Sequence, residues 1–151
     1  MSHSIPTIGT SPLRGVCTVV YEAEDFEGAK AWYSELFGMT PYFDTPPYAE
    51  FRIGDEQHEF GILNAAFAAQ LGGERAQRTA PAGVITYWHV DDIDLTLSRL
   101  VELGAKIHQP KRAFGEGDFV GASVIDPFGN ILGIMYNPHY VAQHTRDRRA
   151  A

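Results

Sequence analysis

Two stretches of the chain decide its fold: YEAEDFEGAKAWYSELFGM (21–39) and WHVDDIDLTLSRLVELGAK (88–106). Each stretch starts at the end of an apolar strand and passes through an acidic residue into an amphipathic segment that a glycine ends. Asp25 and Asp92 are suitable N-caps, because an aspartate side chain accepts hydrogen bonds from the free amides of a first helical turn. The stopping glycine follows the cap after 13 positions in the first stretch and after 12 in the second. Two units of matching length and order predict an internal repeat.

Each unit begins with a strand and continues, after its helix, into three further short strands. The segment GVCTVVYEA (15–23) is dense in β-branched and aromatic residues, which favour strands. After the first helix, prolines and glycines divide residues 40–63 into three short apolar segments. The second half repeats this order, with a strand at 83–90, a helix that follows Asp92, and further strands up to residue 136. The sequence therefore predicts an α+β fold built from two tandem βαβββ modules.

The chain has room for one such domain with a short segment on either side. A chain of 151 residues buries one sizeable core and is short for two. The predicted boundaries are an N-terminal arm at 1–14, a single domain at 15–138 and a C-terminal tail at 139–151, with module 1 at about 15–63, a linker at 64–83 and module 2 at about 83–138.

The composition excludes several classes of partner. Hydrophobic residues make up 44% and charged residues 21% of the chain, as in globular proteins, and the formal net charge is −7. Nucleic-acid binding rests on a basic surface, so this acidic balance argues against it. One cysteine, Cys17, excludes an internal disulfide. We find no signal-peptide pattern and no apolar segment of membrane-spanning length, and we therefore expect a cytoplasmic protein.

The stretches AEDFEGAKAWYSELFGM (23–39), HVDDIDLTLSRLVELGA (89–105) and DPFGNILGIMYNP (126–138) carry a resemblance to a known family. They are similar to the vicinal oxygen chelate superfamily, which includes glyoxalase, bleomycin resistance protein and extradiol dioxygenase. The resemblance covers about residues 15–138. It implies two βαβββ modules whose sheets curve around a central cleft, often in a homodimer. We therefore expect a homodimer, by resemblance only.

Metal-dependent members of that family carry ligands at four cleft-facing strand positions, and most of these positions hold no ligand here. The resemblance assigns the first position to Thr18 and its counterpart in the second module to Ile85. The position at which relatives carry a glutamate is Gly133. The fourth position is Glu59 or Gly61, depending on the alignment, and the sequence leaves this choice open. Since a catalytic zinc site keeps three protein ligands, we expect no divalent metal and no other cofactor.

Alternation along the strands assigns a set of side chains to the cleft, because every second residue of a strand shares one face. These residues predict a largely apolar, aromatic-edged cavity that suits a small organic molecule. The glycine at 133 either leaves room for that ligand or marks a bulge or a close packing contact. The predicted ligand-binding residues are Thr18, Val20, Glu59, Gly61, Ile85, Tyr87, Gly133 and Met135. The residues expected to pack under the helices are Val19, Tyr21, Trp88, Val90, Leu132 and Ile134.

Two ionisable residues occupy matching places in the modules, each three positions before its helix cap. Glu22 and His89 are therefore candidate catalytic residues, since a histidine beside a carboxylate has a pKa suited to general acid or base work. The other interpretation is that Glu22 is solvated at a strand end and that His89 hydrogen-bonds a loop.

These observations leave several functions open. The first is a metal-independent protein that holds a small, partly apolar or aromatic molecule in the cleft. The alternative is a glyoxalase-like or dioxygenase-like enzyme, a lyase or isomerase, which is either metal-dependent at a displaced site or metal-free and uses Glu22, Glu59 or His89. A third is a structural or regulatory partner whose cleft has no ligand. For partners we expect a small organic molecule and a second copy of the chain, and neither nucleic acid nor membrane.

Overall fold

Each half of the chain folds into a four-stranded sheet with a helix against one face. The structure is a computed structural model, and it describes residues 16–68 and 84–150. The predicted arm at 1–14 and most of the predicted linker lie outside the described residues. In chain order the elements are β1 (Thr18–Ala23), α1 (Phe26–Phe37), β2 (Phe43–Asp44), β3 (Tyr48–Ile53), β4 (His58–Asn64), α2 (Ala65–Ala68), β5 (Thr86–His89), α3 (Ile93–Glu102), β6 (Lys106–Ala113), β7 (Val120–Ile125), β8 (Ile131–Tyr136) and α4 (Pro138–Ala150).

The two sheets have the same topology. The strand order is β1-β4-β3-β2 in the first sheet and β5-β8-β7-β6 in the second. In each sheet the first strand pairs in parallel with the last strand of its module, and the remaining neighbours are antiparallel. This arrangement confirms the prediction of an α+β fold with two tandem βαβββ modules.

The two helix caps explain why the helices begin where the sequence predicts. The Asp25 carboxylate accepts a hydrogen bond from the Gly28 amide at 3.0 Å, and the Asp92 carboxylate accepts one from the Leu95 amide at 3.0 Å. Helix α1 ends at Gly38, whose φ of 69° is a left-handed conformation that glycine adopts at little cost. These local signals determine where the two helices begin, and they can be recognised in the sequence alone.

The helix-facing side of each sheet forms the core, as alternation predicts. Tyr21, Leu132 and Ile134 are buried, and Val19, Trp88 and Val90 pack against them from partly buried positions. Aromatic rings dominate the first module and reach into the second, where Phe37 and Phe60 lie 5.6 Å and 5.8 Å from Trp88 between ring centroids.

Hydrogen bonds from the first module hold the turn between β7 and β8 of the second. The Tyr33 hydroxyl donates to the Asp126 carboxylate at 2.5 Å, and the Tyr21 hydroxyl donates to the Ile131 carbonyl at 2.8 Å. The Asn130 side chain donates in return to the Glu22 carbonyl at 3.1 Å. These bonds join residues about a hundred positions apart and dock the modules against each other.

The predicted C-terminal tail contains helix α4. Asn137 caps it, because its side-chain oxygen accepts hydrogen bonds from the His139 amide at 3.0 Å and the Tyr140 amide at 3.3 Å. Pro138 takes the first helical position, where its missing N–H costs nothing. The helix lacks a clear apolar face, so hydrophobic periodicity gives no signal for it. Among the described residues, no helix has the length and apolar character to span a membrane.

Candidate functional site

The sheet face that points away from α1 and α3 carries three glycines, each covered by an aromatic ring. We call it the glycine-bearing face and define it by Gly61, Gly121 and Gly133. A Cβ atom built on Gly133 would lie 2.5 Å from the ring of Tyr87, far inside van der Waals contact. A Cβ on Gly61 would overlap the ring of Tyr48, and one on Gly121 would overlap Phe114. Only glycine lets these rings lie so close to the sheet.

The strand register settles which residues of the two modules correspond. Val20 of β1 lies opposite Gly61, and Tyr87 of β5 lies opposite Gly133. Since Val20 and Tyr87 each precede their helix cap by five positions, Gly61 is the counterpart of Gly133. Glu59 instead lies opposite Thr18. The register therefore makes Gly61, and not Glu59, the counterpart of Gly133 in the first module.

The four positions that the resemblance assigns to a metal do not fit one. Two of them are the glycines Gly61 and Gly133, whose space is filled by tyrosine rings. Ile85 offers no ligand atom, and Thr18 is exposed at the start of β1. Among residues 16–68 and 84–150, no three His, Cys, Asp or Glu side chains are grouped so that they could hold a metal ion. We therefore derive no chemistry through a metal at these positions.

A large groove of about 840 Å³ lies beside the second module. Three predicted site residues line it from the sheet, namely Tyr87, His89 and Met135. The turn between β3 and β4 lines another side, and helix α4 forms a wall. The groove thus combines strands of both modules with a helix that sequence reasoning missed.

The wall of the groove is an aromatic stack that holds α4 in place. The Tyr140 ring stacks on His89 with 4.6 Å between centroids, and on His144 with 4.0 Å. The Tyr140 hydroxyl donates to the Asp55 carboxylate at 2.7 Å, and the His144 Nε2 lies 3.0 Å from the Glu56 carboxylate. Burial, together with this bond to Asp55, raises the pKa of Tyr140 to about 12. These contacts connect α4 to the first module across the groove.

The hydrogen bonds of His89 define its tautomer. Its Nδ1 lies 3.1 Å from the Asn137 backbone amide, which can only donate, so Nδ1 is the acceptor. The neutral ring therefore carries its proton on Nε2, which lies 3.4 Å from the Asp91 carboxylate. Glu22, the other candidate catalytic residue, lines a separate cavity of about 300 Å³ together with Val20. The structure does not bring Glu22 and His89 to one cavity.

A carboxylate cluster lies on the glycine-bearing face of the first module. The buried Glu50 carboxylate accepts hydrogen bonds from the hydroxyl of Tyr42 and, at 2.5 Å, from that of Tyr48. The Tyr42 hydroxyl oxygen also lies 3.2 Å from the Glu59 carboxylate. Burial opposes ionisation of Glu50, but the tyrosine hydrogen bonds outweigh it and lower its pKa. The hydrogen bond to Glu50 and burial raise the pKa of Tyr42 to about 12.

Sequence reasoning missed Glu50, Tyr48 and Tyr42, although alternation contains the signal for two of them. Residues Tyr48 and Glu50 alternate with the core residues Ala49 and Phe51 on β3, which places them on the glycine-bearing face. Tyr42 precedes β2 and has no such signal. The Arg52 guanidinium lies over the ring of Tyr42, 4.3 Å from the ring centroid.

The remaining predicted site residues are dispersed. Glu59 and Tyr87 both line a third cavity of about 190 Å³ between β1 and β5. Ile85 is half-buried just before β5, Val20 is 50% exposed, and Thr18 is exposed. The predicted residues that line the large groove, Tyr87, His89 and Met135, therefore all belong to the second module.

Comparison with known families and structures gives a consistent assignment. A model of the Glyoxalase/Bleomycin resistance protein/Dioxygenase superfamily matches residues 18–134. A glyoxalase-related enzyme from Fulvimarina pelagi is 23% identical with a TM-score of 0.67, and the match covers 83% of this chain and 90% of that one. A lactoylglutathione lyase from Agrobacterium tumefaciens is 17% identical with a TM-score of 0.64, covering 84% and 96%.

A third solved structure gives the same result. It is a glyoxalase / bleomycin resistance protein from Catenulispora acidiphila, 22% identical with a TM-score of 0.55, and the match covers 80% of this chain and 96% of that one. At these identities the likeness concerns the fold alone. A search of curated proteins gives no match.

Proposed function

The chain belongs to the glyoxalase/bleomycin resistance protein/dioxygenase superfamily, and we propose that within this family it binds a small, partly apolar or aromatic molecule without a metal. The proposed ligand site is the groove of about 840 Å³ that Tyr87, His89 and Met135 line from the sheet. Pockets of about 300–1,000 Å³ with apolar and aromatic walls hold small organic ligands.

The observation that carries this proposal is the filling of both glycine positions by aromatic rings. Gly133 stands where relatives are expected to carry a glutamate ligand, and Tyr87 covers it. Gly61 is its counterpart, and Tyr48 covers it. A metal would need its ligands in the space that these rings occupy. The rings instead supply an apolar surface, which favours binding of an organic molecule over metal chemistry.

The polar groups of the groove favour a ligand with a hydrogen-bonding substituent. His89, Asp55 and Asn137 lie at its edge, and Tyr140 and His144 stack along its wall. Aromatic walls with a few placed polar groups fix the orientation of a flat ligand. The acidic residues at the groove disfavour an anionic one.

Two measurements on the tag-free protein test the proposal. The first is elemental analysis after incubation with zinc, nickel, manganese and iron(II) and desalting, in which we expect each metal far below one equivalent. The second is titration calorimetry with phenol, indole and catechol. We expect at least one of them to bind, and Met135→Ala to weaken that binding several-fold. Met39→Ala is the matched control, because Met39 is exposed at the end of α1. Retention of about one equivalent of any metal contradicts the proposal, as does absence of binding by all three compounds.

A metal-free enzyme of the lyase or isomerase type is the second candidate. The observation that favours it is the orientation of His89, whose unprotonated Nδ1 and protonated Nε2 are held by Asn137 and Asp91 at the groove. The Asn137 amide occupies the Nδ1 lone pair, so the group that is placed for proton transfer is the Nε2–H, acting as a general acid. If this candidate is correct, His89→Gln lowers turnover far more than it lowers ligand affinity, whereas a binding protein has no turnover to lose.

A further inference from the structure

The Ser123 hydroxyl is buried and has no hydrogen-bond partner in the part of the chain that the structure describes. Ser123 is 0% exposed, and its Oγ makes no hydrogen bond within residues 16–68 and 84–150. A hydroxyl in this state costs free energy, because it has lost its hydrogen bonds to water and gained none in return. Such groups are rare in folded proteins, and each one calls for an explanation in packing or function.

The strand register shows where this hydroxyl points. Ser123 lies on β7 directly opposite Gly133 of β8. Its neighbours Ala122 and Val124 belong to the core beneath the helices. Because successive side chains of a strand alternate, Ser123 points to the other side, onto the glycine-bearing face beside Gly133.

Two aromatic rings cover this part of the face. Tyr87 lies over Gly133, and Phe114 lies over Gly121, two positions before Ser123 on the same strand. The two rings meet edge to face, with 6.3 Å between centroids and planes at 88°. Gly121, Ser123 and Gly133 therefore form a floor of small residues on two neighbouring strands, under a cover made of two rings.

The cover has room to move. Tyr87 lines the large groove, and a rotation about its side-chain torsions would carry the ring toward that space. Phe114 is the first residue of the turn between β6 and β7, and its amide donates to the Phe119 carbonyl at 2.9 Å. Displacement of Tyr87 would expose the Gly133 floor and the Ser123 hydroxyl to the groove.

We propose that Tyr87 and Phe114 are a movable cover over a ligand subsite, whose floor is Gly121 and Gly133 and whose polar anchor is the Ser123 hydroxyl. The occupant is a flat aromatic ring with a hydroxyl or carbonyl group, as in a phenol. A flat ring fits this subsite because the flat ring of Tyr87 already packs against Gly133 at the same position. A hydroxyl is both donor and acceptor, so it satisfies Ser123 in either role. This subsite deepens the proposed function and rests on it for the identity of the groove.

The first test uses the ligand-free protein. Ser123→Ala removes an unpartnered buried hydroxyl, so we expect it to raise the Tm by about 2–4 °C. Ser98→Ala is the control, since Ser98 is exposed on α3, and we expect its Tm to be unchanged. A lower Tm for Ser123→Ala overturns the proposal, because it means that the hydroxyl already has a partner.

The second test uses phenol and toluene, which have the same shape and differ in the hydroxyl. Tyr87→Ala removes the cover, and we expect this variant to bind phenol about tenfold more tightly than toluene. In Tyr87→Ala/Ser123→Ala the preference for phenol should disappear. Its persistence overturns the proposal. If Tyr87→Ala does not fold, Phe114→Ala opens the neighbouring end of the cover and allows the same comparison.

The wild-type protein separates failure of this subsite from failure of the proposed function. If the wild type binds phenol, indole or catechol and Ser123→Ala leaves every affinity unchanged, the subsite is wrong and the proposed function stands. If the wild type binds none of them while Ser123 controls phenol preference in the Tyr87→Ala background, Ser123 is able to anchor a phenol, but the cover does not move in the wild type, and both the movable cover and the proposed function fall.

Discussion

The ring of Tyr87 fills the space that a side chain at Gly133 would need, with a ring carbon 2.5 Å from the position of the missing Cβ. The two residues lie directly opposite each other on parallel strands β5 and β8. In this structure the glycine makes the close packing contact that the sequence allows as one of its interpretations. The glycine and the tyrosine form one unit, and the consequences of changing either depend on the other.

Substitution of Gly133 measures this dependence. In an open strand Gly→Ala stabilises a protein slightly, because it restricts the unfolded chain. At Gly133 we expect Ala to reduce the free energy of unfolding by about 1–3 kcal/mol, as in an overpacked core. In the Tyr87→Ala background the same substitution should be neutral or stabilising. Urea denaturation of the wild type, the two single variants and the double variant gives the coupling free energy between the two positions. An equal loss of stability from Gly133→Ala in both backgrounds would show that the Tyr87 ring is not its cause.

The fold was predictable from local signals that act within one module. Asp25 and Asp92 each accept the amide hydrogen bond expected of a cap, and the alternation in β8 places Leu132 and Ile134 in the core. Capping and alternation depend on neighbours in sequence, so a single chain displays them.

The site was predictable only in part, because it depends on contacts between distant segments. Alternation gave the face of Tyr87 and Met135, which both line the groove. It gave no sign that Tyr140 would stack on His89, since α4 has no apolar periodicity to mark its docked side. Alternation also could not show that Glu22 and His89 line different cavities. Their matching positions give the place of each residue within its own module, but they do not say how the two modules pack together.

Helix α4 should dock less firmly as the pH rises. The hydrogen bond to the Tyr140 carbonyl, and with it the contact to Glu56, raises the pKa of His144 above its ordinary value of 6.5. Asp55, Asp91 and His89 are the other titratable groups around the Tyr140–His144 stack. A raised pKa means that the folded state binds the proton more tightly than the unfolded state. The stabilisation that protonated His144 gives to the folded state is therefore complete below pH 6.5 and is lost as the pH rises through the raised pKa of His144.

Amide hydrogen exchange of α4 as a function of pH measures this effect. We expect protection of the helix to fall on the alkaline side of pH 6.5 in the wild type. His144→Gln keeps hydrogen bonding and cannot take a proton in this range, so its protection should be lower at acidic pH and independent of pH. His139→Gln is a suitable control, because His139 is exposed on the same helix. An unaltered pH profile in His144→Gln would contradict the assignment.

The Glu50 cluster should make the first module sensitive to acid. The tyrosine hydrogen bonds lower the pKa of Glu50 below 4.5 despite its burial. A lowered pKa stabilises the folded state above the unfolded value, and this stabilisation is lost as the pH falls through the folded pKa. We expect Tyr48→Phe, which removes one donor to Glu50, to shift the acid-unfolding midpoint to higher pH. Phe43→Leu is the control, because Phe43 contacts the Tyr48 ring without a hydrogen bond. Equal midpoints for the wild type and Tyr48→Phe would refute this role of the hydroxyl.

The hydrogen bond between Tyr33 and Asp126 should be the strongest single polar link between the modules. The donor is a buried phenol, and the acceptor is a carboxylate that also receives the Phe128 and Asn130 amides at 2.9 Å and 2.8 Å. Burial and the Asp126 charge raise the pKa of Tyr33 well above its usual range, so the hydroxyl keeps its proton as a donor. Tyr33→Phe removes only the hydroxyl, and we expect a loss of about 1.5–3 kcal/mol in the free energy of unfolding, as for a bond to a charged group.

Tyr21→Phe is the matched comparison for this prediction. Its hydroxyl also crosses from the first module to the second, but it donates to the neutral Ile131 carbonyl at 2.8 Å. We expect it to cost about 0.5–1.5 kcal/mol, less than Tyr33→Phe, because the acceptor has no charge. Urea denaturation of both variants gives the two values. A larger loss for Tyr21→Phe would mean that packing of the two rings, and not the charge on Asp126, decides how tightly the modules dock.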